Sequence, residues 1–144
     1  MIVLRSFLLQ DLYPFLSNKV WAQKNLILNM IKGFKIPKVE FRIREGDSSD
    51  NEDVCAIGGK WINKSTDDFF KGKRVILFSL PGAFTPTCSS QQLPGFESNA
   101  SKLKELGIDK IYCCSVNDSY VMNAWAKKMN VSNVKVIPDG SGLF

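Results

Sequence analysis

The sequence predicts an α/β fold with a mostly parallel central sheet. Two observations carry this. Strand-like apolar runs alternate with helix-like segments between residues 74 and 137. The first of these runs is almost continuously apolar, as in a strand covered on both faces. A length of 144 residues fits one domain, and 44% hydrophobic against 23% charged residues is enough apolar material for a packed core.

The elements follow in chain order. Val39 to Arg44 alternate apolar and polar side chains, the pattern of a half-buried strand. Residues 45–53 are polar and rich in turn formers. Gly58 and Gly59 mark a turn, after which Lys60-Trp61-Ile62 pairs back as a second strand. Ser65 and Thr66 followed by Asp67 and Asp68 signal a helix start, with a hydroxyl cap and acids in the first turn. Gly72 ends that helix, and the basic run Lys71 to Arg74 complements its C-terminal carbonyls. Arg74 to Leu80 form the buried strand, broken by Pro81-Gly82. Helix then runs from near Thr87 to about Gly107, with an expected interruption at Pro94-Gly95. Phe96, Ala100, Leu103 and Leu106 share a face of it. Ile108 to Val116 is the next strand. Asn117, Asp118 and Ser119 cap a helix carrying Val121, Met122, Trp125 and Met129 at helical spacing. Val134 to Ile137 is the last strand, and Pro138-Asp139-Gly140 turns out of it.

Charge and composition exclude several functions. The net charge of +5 resides in residues 1–38, which hold Arg5, Lys19, Lys24, Lys32, Lys35 and Lys38 against Asp11 alone. The remaining 13 basic and 13 acidic residues cancel, so the globular part has no charge excess for nucleic acid. No apolar run is long enough to span a bilayer. The absence of histidine excludes His-based triads and the usual His-containing zinc sites. The cysteines Cys55, Cys88, Cys113 and Cys114 form no C-x-x-C pair, which argues against a thioredoxin-type redox pair or a zinc knuckle. Their sparseness suits a reducing compartment.

Residues 1–37 read as an N-terminal extension outside the fold, and 38–144 as the domain. Two origins compete for the first 30 residues: an organellar presequence, or translation upstream of a start at Met30. The second is favoured because the stretch is poor in Ser and Arg. Cytoplasm follows from the second, and a mitochondrion or other organelle from the first.

The chemistry concentrates in Pro81-Gly82-Ala83-Phe84-Thr85-Pro86-Thr87-Cys88, which joins the end of a buried strand to the start of a helix. Ligands of open α/β sheets sit at the carboxyl ends of strands. A cysteine in the first helical turn meets unpaired N–H groups and the positive end of the helix dipole, which favour a thiolate. That placement activates a nucleophile without histidine. Thr85, three residues earlier, can aim its hydroxyl at the sulfur or at a bound oxygen, and the two prolines stiffen the loop.

These residues also carry a family resemblance. Pro-x3-Thr-x2-Cys is the signature of peroxiredoxins, and PGAFTPTCSSQQLPGF closely resembles their type II branch. The similarity continues through SVND (115–118), VMNAWAKK (121–128) and PDGSGLF (138–144). The resemblance implies a thioredoxin-like fold and reduction of hydrogen peroxide or organic hydroperoxides. It matches Cys88 to the peroxidatic cysteine, Thr85 to the hydroxyl that contacts thiolate and peroxide, and Pro81 to the residue that shields the pocket. It calls for no cofactor or metal. It implies glutathione with glutaredoxin, or thioredoxin, as reductant, and a homodimer.

The family also uses an arginine from a later strand to hold the thiolate and polarise the peroxide. Arg42, Arg44 and Arg74 lie in segments that do not correspond to it. We therefore expect the domain to be incomplete at its C-terminus. Cys113 matches a second cysteine of type II members, but its place in a buried strand suits a small core residue better. Cys114 is expected on that strand's opposite face, and Cys55 near the surface. Phe84, Phe96 and Trp125 are read as core or dimer-contact residues, and Lys127 and Lys128 as a solvated helix face. Two alternatives stand beside the peroxidase: a catalytically impaired fragment that keeps the fold, and a general thiol-disulfide oxidoreductase.

Overall fold

The computed structural model describes residues 35–45 and 59–144. Cys55, the polar loop after Glu45 and most of the N-terminal extension lie outside the described residues. The elements are β1 (Glu40–Glu45), β2 (Lys60–Ser65), α1 (Thr66–Phe70), β3 (Val75–Ser79), a π-helical turn (Cys88–Gln92), α2 (Leu93–Ser98), α3 (Ala100–Glu105), β4 (Lys110–Ser115), α4 (Ser119–Lys128) and β5 (Val134–Pro138). Strands β3, β4 and β5 form a parallel sheet with β4 in the centre, and β1 and β2 form an antiparallel hairpin. The predicted alternation of strands and helices is thus observed.

The sheet is two-sided because each strand alternates its side chains. Ile76 and Phe78 of β3, Ile111 and Cys113 of β4, and Val134 of β5 face a core with Leu93, Ala100, Leu103, Met122 and Trp125. Val75, Tyr112, Cys114 and Ile137 face the other way, against Phe41, Phe69 and Phe70. On that second face Tyr112 stands edge-on to Phe69 and Phe70, with ring centroids 5.4 and 5.7 Å apart. The expected division of Cys113 and Cys114 between opposite faces is therefore present. Among the described residues no strand pairs with the outer edge of β3.

The helix ends follow local chemistry. Ser65 and Asp68 form a capping box, the Asp68 carboxylate accepting from the Ser65 N–H at 2.7 Å. Hydrogen bonds from the Ser65 hydroxyl and backbone hold the Asp68 carboxyl below its ordinary value. At the other end Lys73 Nζ donates to the carbonyls of Asp68 and Phe69 at 2.8 and 3.3 Å, the role expected for the basic run. The hairpin is tied to α4 by Ser119, whose hydroxyl donates to the Arg42 carbonyl at 3.0 Å and accepts from the Arg44 N–H at 3.2 Å.

Two sequence expectations are corrected. The helical stretch breaks at Asn99, not at Pro94-Gly95. Pro94 lies just after the π-helical turn, inside a helical stretch that begins at Pro86, and the helical backbone passes it without a break. The backbone turns at Asn99 (φ −92°, ψ 4°), whose side-chain amide donates to the Gly95 carbonyl at 2.8 Å. Leu106 does not share the buried face of Ala100 and Leu103; it lies past the end of α3 and is exposed. Gly107 follows with φ +82°, a conformation that suits glycine, and a Cβ there would meet the Arg74 guanidinium at 2.8 Å.

Glu97 staples α2 to the start of β5. Its carboxylate accepts from the N–H groups of Ser132, Asn133 and Val134 at 3.0, 2.9 and 2.8 Å. Burial pushes this carboxyl up, but the three backbone N–H groups and the Asn133 side chain outweigh it and bring the pKa down to about 2. A carboxyl held below its unfolded value stabilises the fold above that unfolded value, and the contribution fades as pH falls towards the folded one. Glu97→Gln is therefore expected to destabilise the protein at pH 7 by about 1 kcal/mol, screened because the group is only half-buried. Urea melts at several pH values check this: the gap to wild type should close between pH 4.5 and pH 2. A gap that is constant across that window would refute the staple.

Candidate functional site

Parallel strands bring their C-terminal ends to one side, and the candidate site is built there. β3 ends at Ser79, and its ladder gains one more rung because the Leu80 N–H donates to the Cys114 carbonyl at 3.2 Å. Pro81 follows on the surface. The loop then turns through Phe84, which adopts φ +64°. A bulky side chain in this left-handed region signals a conformation imposed by its surroundings. Helical backbone starts at Pro86 and opens into the π-helical turn beginning at Cys88. Such turns are frequent at functional sites.

Several hydrogen bonds fix the loop. Thr85 Oγ1 donates to the Gly82 carbonyl at 2.8 Å, and the Ser89 N–H donates to the Thr85 carbonyl at 3.0 Å. The Ala83 N–H donates to Asn117 Oδ1 at 2.8 Å, which joins the loop to the segment leaving β4. Trp125 Nε1 donates to the Ser89 hydroxyl at 3.0 Å, so α4 braces the residue next to Cys88 from behind. The structure thus puts Thr85 and Cys88 on one braced turn, with Pro81 at its entry. Cys88 is a free thiol, 7% exposed, packed in the core cluster with Leu93, Cys113, Met122 and Trp125.

The other cysteines have a different environment. Burial, with the neighbouring Cys114 and Cys88 adding to it, pushes the Cys113 thiol up to about 12. Burial and the Asp139 charge push Cys114 up to about 11. Both are protonated at neutral pH and suited to a packing role.

Arg42, Arg44 and Arg74 are each engaged away from Cys88. Arg42 lies over the Trp61 ring at 4.9 Å and Arg44 over the Tyr120 ring at 5.0 Å. Arg74 precedes β3 at the opposite end of the sheet from Cys88 and rests against Gly107. Phe84 is 48% exposed, so of its two expected roles it does not fill the core one; Lys127 and Lys128 are exposed as expected, with the Lys128 ammonium 5.7 Å from the Phe84 ring centroid. Trp125, by contrast, is fully buried, and Phe96 stacks on Phe78 with centroids 4.0 Å apart.

Two surface clefts lie away from this thiol. One of about 310 Å³ is lined by Phe41, Arg42, Trp61 and Asp139, and one of about 100 Å³ lies among Lys104, Lys110 and Lys135. Among the described residues no cluster of His, Cys, Asp or Glu could hold a metal ion, and no helix is long and apolar enough to cross a membrane.

Residues 32–144 match the Redoxin family. The chain belongs to this family. It is 57% identical over 114 residues to a peroxiredoxin of Rhizobium etli, covering 76% of this chain and 60% of that protein. A peroxiredoxin of Synechocystis is 45% identical over the same length, with 76% and 57% covered. Among solved structures, the 1-Cys peroxiredoxin antioxidant protein of Plasmodium falciparum superposes with TM-score 0.67 at 36% identity, covering 78% of this chain and 64% of that one. Reduced Prx3 of Vibrio vulnificus in complex with hydrogen peroxide gives TM-score 0.66 at 34% identity, covering 78% and 61%. The chain thus spans about 60% of the length of these curated relatives. The thioredoxin-like redoxin fold and the peroxiredoxin resemblance read in the sequence are both borne out.

Sequence reasoning missed Asn117 as a loop partner, since it read the residue as part of a helix cap. Asp118 is the cap, accepting from the Val121 N–H at 2.9 Å. The SVND run that carried the resemblance was the available signal.

The thiol environments predict selective labelling. In native protein at pH 8, iodoacetamide should leave Cys113 and Cys114 unmodified, whereas both label in urea. Peptide mass mapping reads this directly. Native labelling of Cys113 at the rate of a free thiol would contradict its packing role.

Proposed function

We propose that this protein is a thiol peroxidase in which Cys88 reduces hydrogen peroxide and organic hydroperoxides. The observation that carries the reading is the position of Cys88: a free thiol opening a helical turn at the carboxyl end of β3, on a loop of redoxin sequence braced by four hydrogen bonds. The thiolate attacks the terminal oxygen of the hydroperoxide in line with the O–O bond. An S–O bond forms, the O–O bond breaks, and an alkoxide or hydroxide leaves and takes a proton from water. The sulfur is oxidised to a sulfenic acid while the peroxide is reduced to an alcohol or water. Thr85 contacts the attacked oxygen, the backbone N–H groups near Thr87 and Cys88 stabilise developing charge, and Pro81 screens the sulfur.

Recycling uses an external thiol. Glutathione with glutaredoxin, or thioredoxin, condenses with the sulfenic acid to give a mixed disulfide and water, and a second thiol then releases Cys88. The high pKa values and burial of Cys113 and Cys114 support an external donor over an internal one. We also propose a homodimer, and a cytoplasmic setting, or an organellar one where residues 1–30 act as a presequence.

A second reading has its own support. Arg42, Arg44 and Arg74 are engaged away from Cys88, and the chain spans about 60% of its relatives. These 144 residues would then keep the fold with slow chemistry.

Intact mass after one equivalent of hydrogen peroxide, with a sulfenic-acid trap, decides between them. Rapid single labelling in wild type that disappears in Cys88→Ser is expected. Labelling no faster than a free thiol would favour the impaired fragment, and recovery in a C-terminally longer protein would locate the cause.

A further inference from the structure

Asn117 is the part of the SVND run to which the reaction assigns nothing. Its Oδ1 accepts two hydrogen bonds, from the Ala83 N–H and from the Ser115 hydroxyl, both at 2.8 Å. A backbone N–H only donates, so the amide oxygen is the atom that faces the loop. Ser115 ends β4 and is 3% exposed, so the amide is held from a rigid, buried point.

The Ala83 N–H belongs to the Gly82–Ala83 peptide. In a planar trans peptide the carbonyl points opposite to the N–H. That carbonyl, of Gly82, accepts the Thr85 hydroxyl proton at 2.8 Å. Ser115, Asn117, one peptide unit and Thr85 therefore form a single relay across the loop. Gly82 sits within it: a Cβ there would lie 3.7 Å from Thr85 Cγ2 and 3.8 Å from Asn117 Oδ1. With its one proton committed to Gly82, the Thr85 oxygen is left to act as an acceptor.

We infer that Asn117 is a positioning residue: by orienting the Gly82–Ala83 peptide it makes Thr85 present an acceptor oxygen to the O–H of the peroxide that Cys88 attacks. This rests on the peroxidase reading above. Without Asn117 the peptide is free to rotate, the Thr85 proton is released from Gly82, and the hydroxyl no longer has a fixed polarity. Misplacement of this size affects rate more than fold.

The test measures the rate of Cys88 sulfenic acid formation with hydrogen peroxide in wild type, Asn117→Ala, Thr85→Val, the double variant and Asn117→Asp, each with a thermal melt. Asn117→Ala is expected to slow oxidation by roughly tenfold. Asn117→Asp, which keeps an oxygen acceptor, should recover most of that loss. In the Thr85→Val background Asn117→Ala should add no further slowing, a non-additivity that general loosening of the fold would not produce. Equal slowing in both backgrounds, or none in either, overturns the role of Asn117 while wild-type Cys88 remains fast. Wild-type oxidation no faster than a free thiol overturns the peroxidase reading, and the relay with it.

Discussion

Everything at the site depends on β4 being buried on both faces. Ile111 and Cys113 pack on one side and Tyr112 and Cys114 on the other, each 7% exposed or less. A strand of this kind takes parallel neighbours, and parallel neighbours require helical crossovers that cover the sheet. Register is then tightly specified, because a slip of one residue would exchange the two faces of the sheet. In the register observed, Ser79 pairs with Cys114 and Ser115 with Pro138. The segments leaving β3 and β4 therefore emerge side by side. That adjacency is why a side chain two residues past β4 can hold the backbone of a loop that follows β3.

Much of this was legible in the sequence, for physical reasons. The run from Val75 to Leu80 leaves no polar face, so it reads as a two-sided strand without knowledge of its partners. Capping by Ser65 and the spacing of Met122 and Trp125 are local signals, and local signals survive folding. The errors arose where tertiary partners decide. Proline suggested a break at residue 94, but the helical backbone continues through it after the π-helical turn, and the break fell at Asn99. Asn117 and Asp118 are both good caps by type, and only the position of Ala83 assigns one to the helix and the other to the loop.

Cys88, Thr85 and Pro81 could be singled out as candidates because the proposed chemistry calls for their types in a short span, which needs no tertiary information to see. Their relation to the arginines was not legible. Arg42 meets Trp61 when the hairpin closes, and Arg44 meets Tyr120 when the hairpin folds against α4. Their stacking therefore assigns these two side chains to the hairpin's attachment rather than to the thiol.

Phe84 shows how the loop holds its shape. A left-handed backbone costs a side-chain-bearing residue about 1–2 kcal/mol, while a hydrogen bond returns only about 1 kcal/mol net. No single bond in the loop can therefore enforce φ +64°. Three act together: Ala83 to Asn117, Thr85 to Gly82, and Ser89 to Thr85. Pro86 adds a fourth constraint, since the residue before a proline avoids helical backbone. Thr85 is thereby steered away from helical backbone at the point where helix begins, and the chain reverses before it, at Phe84. A glycine at 84 would remove the strain, but it would also enlarge the unfolded ensemble and delete the ring on which Lys128 rests. The loop is thus determined by several weak restraints, none of which suffices alone. Asn117 is the acceptor among them that joins the loop to the end of β4, so its loss would uncouple the two.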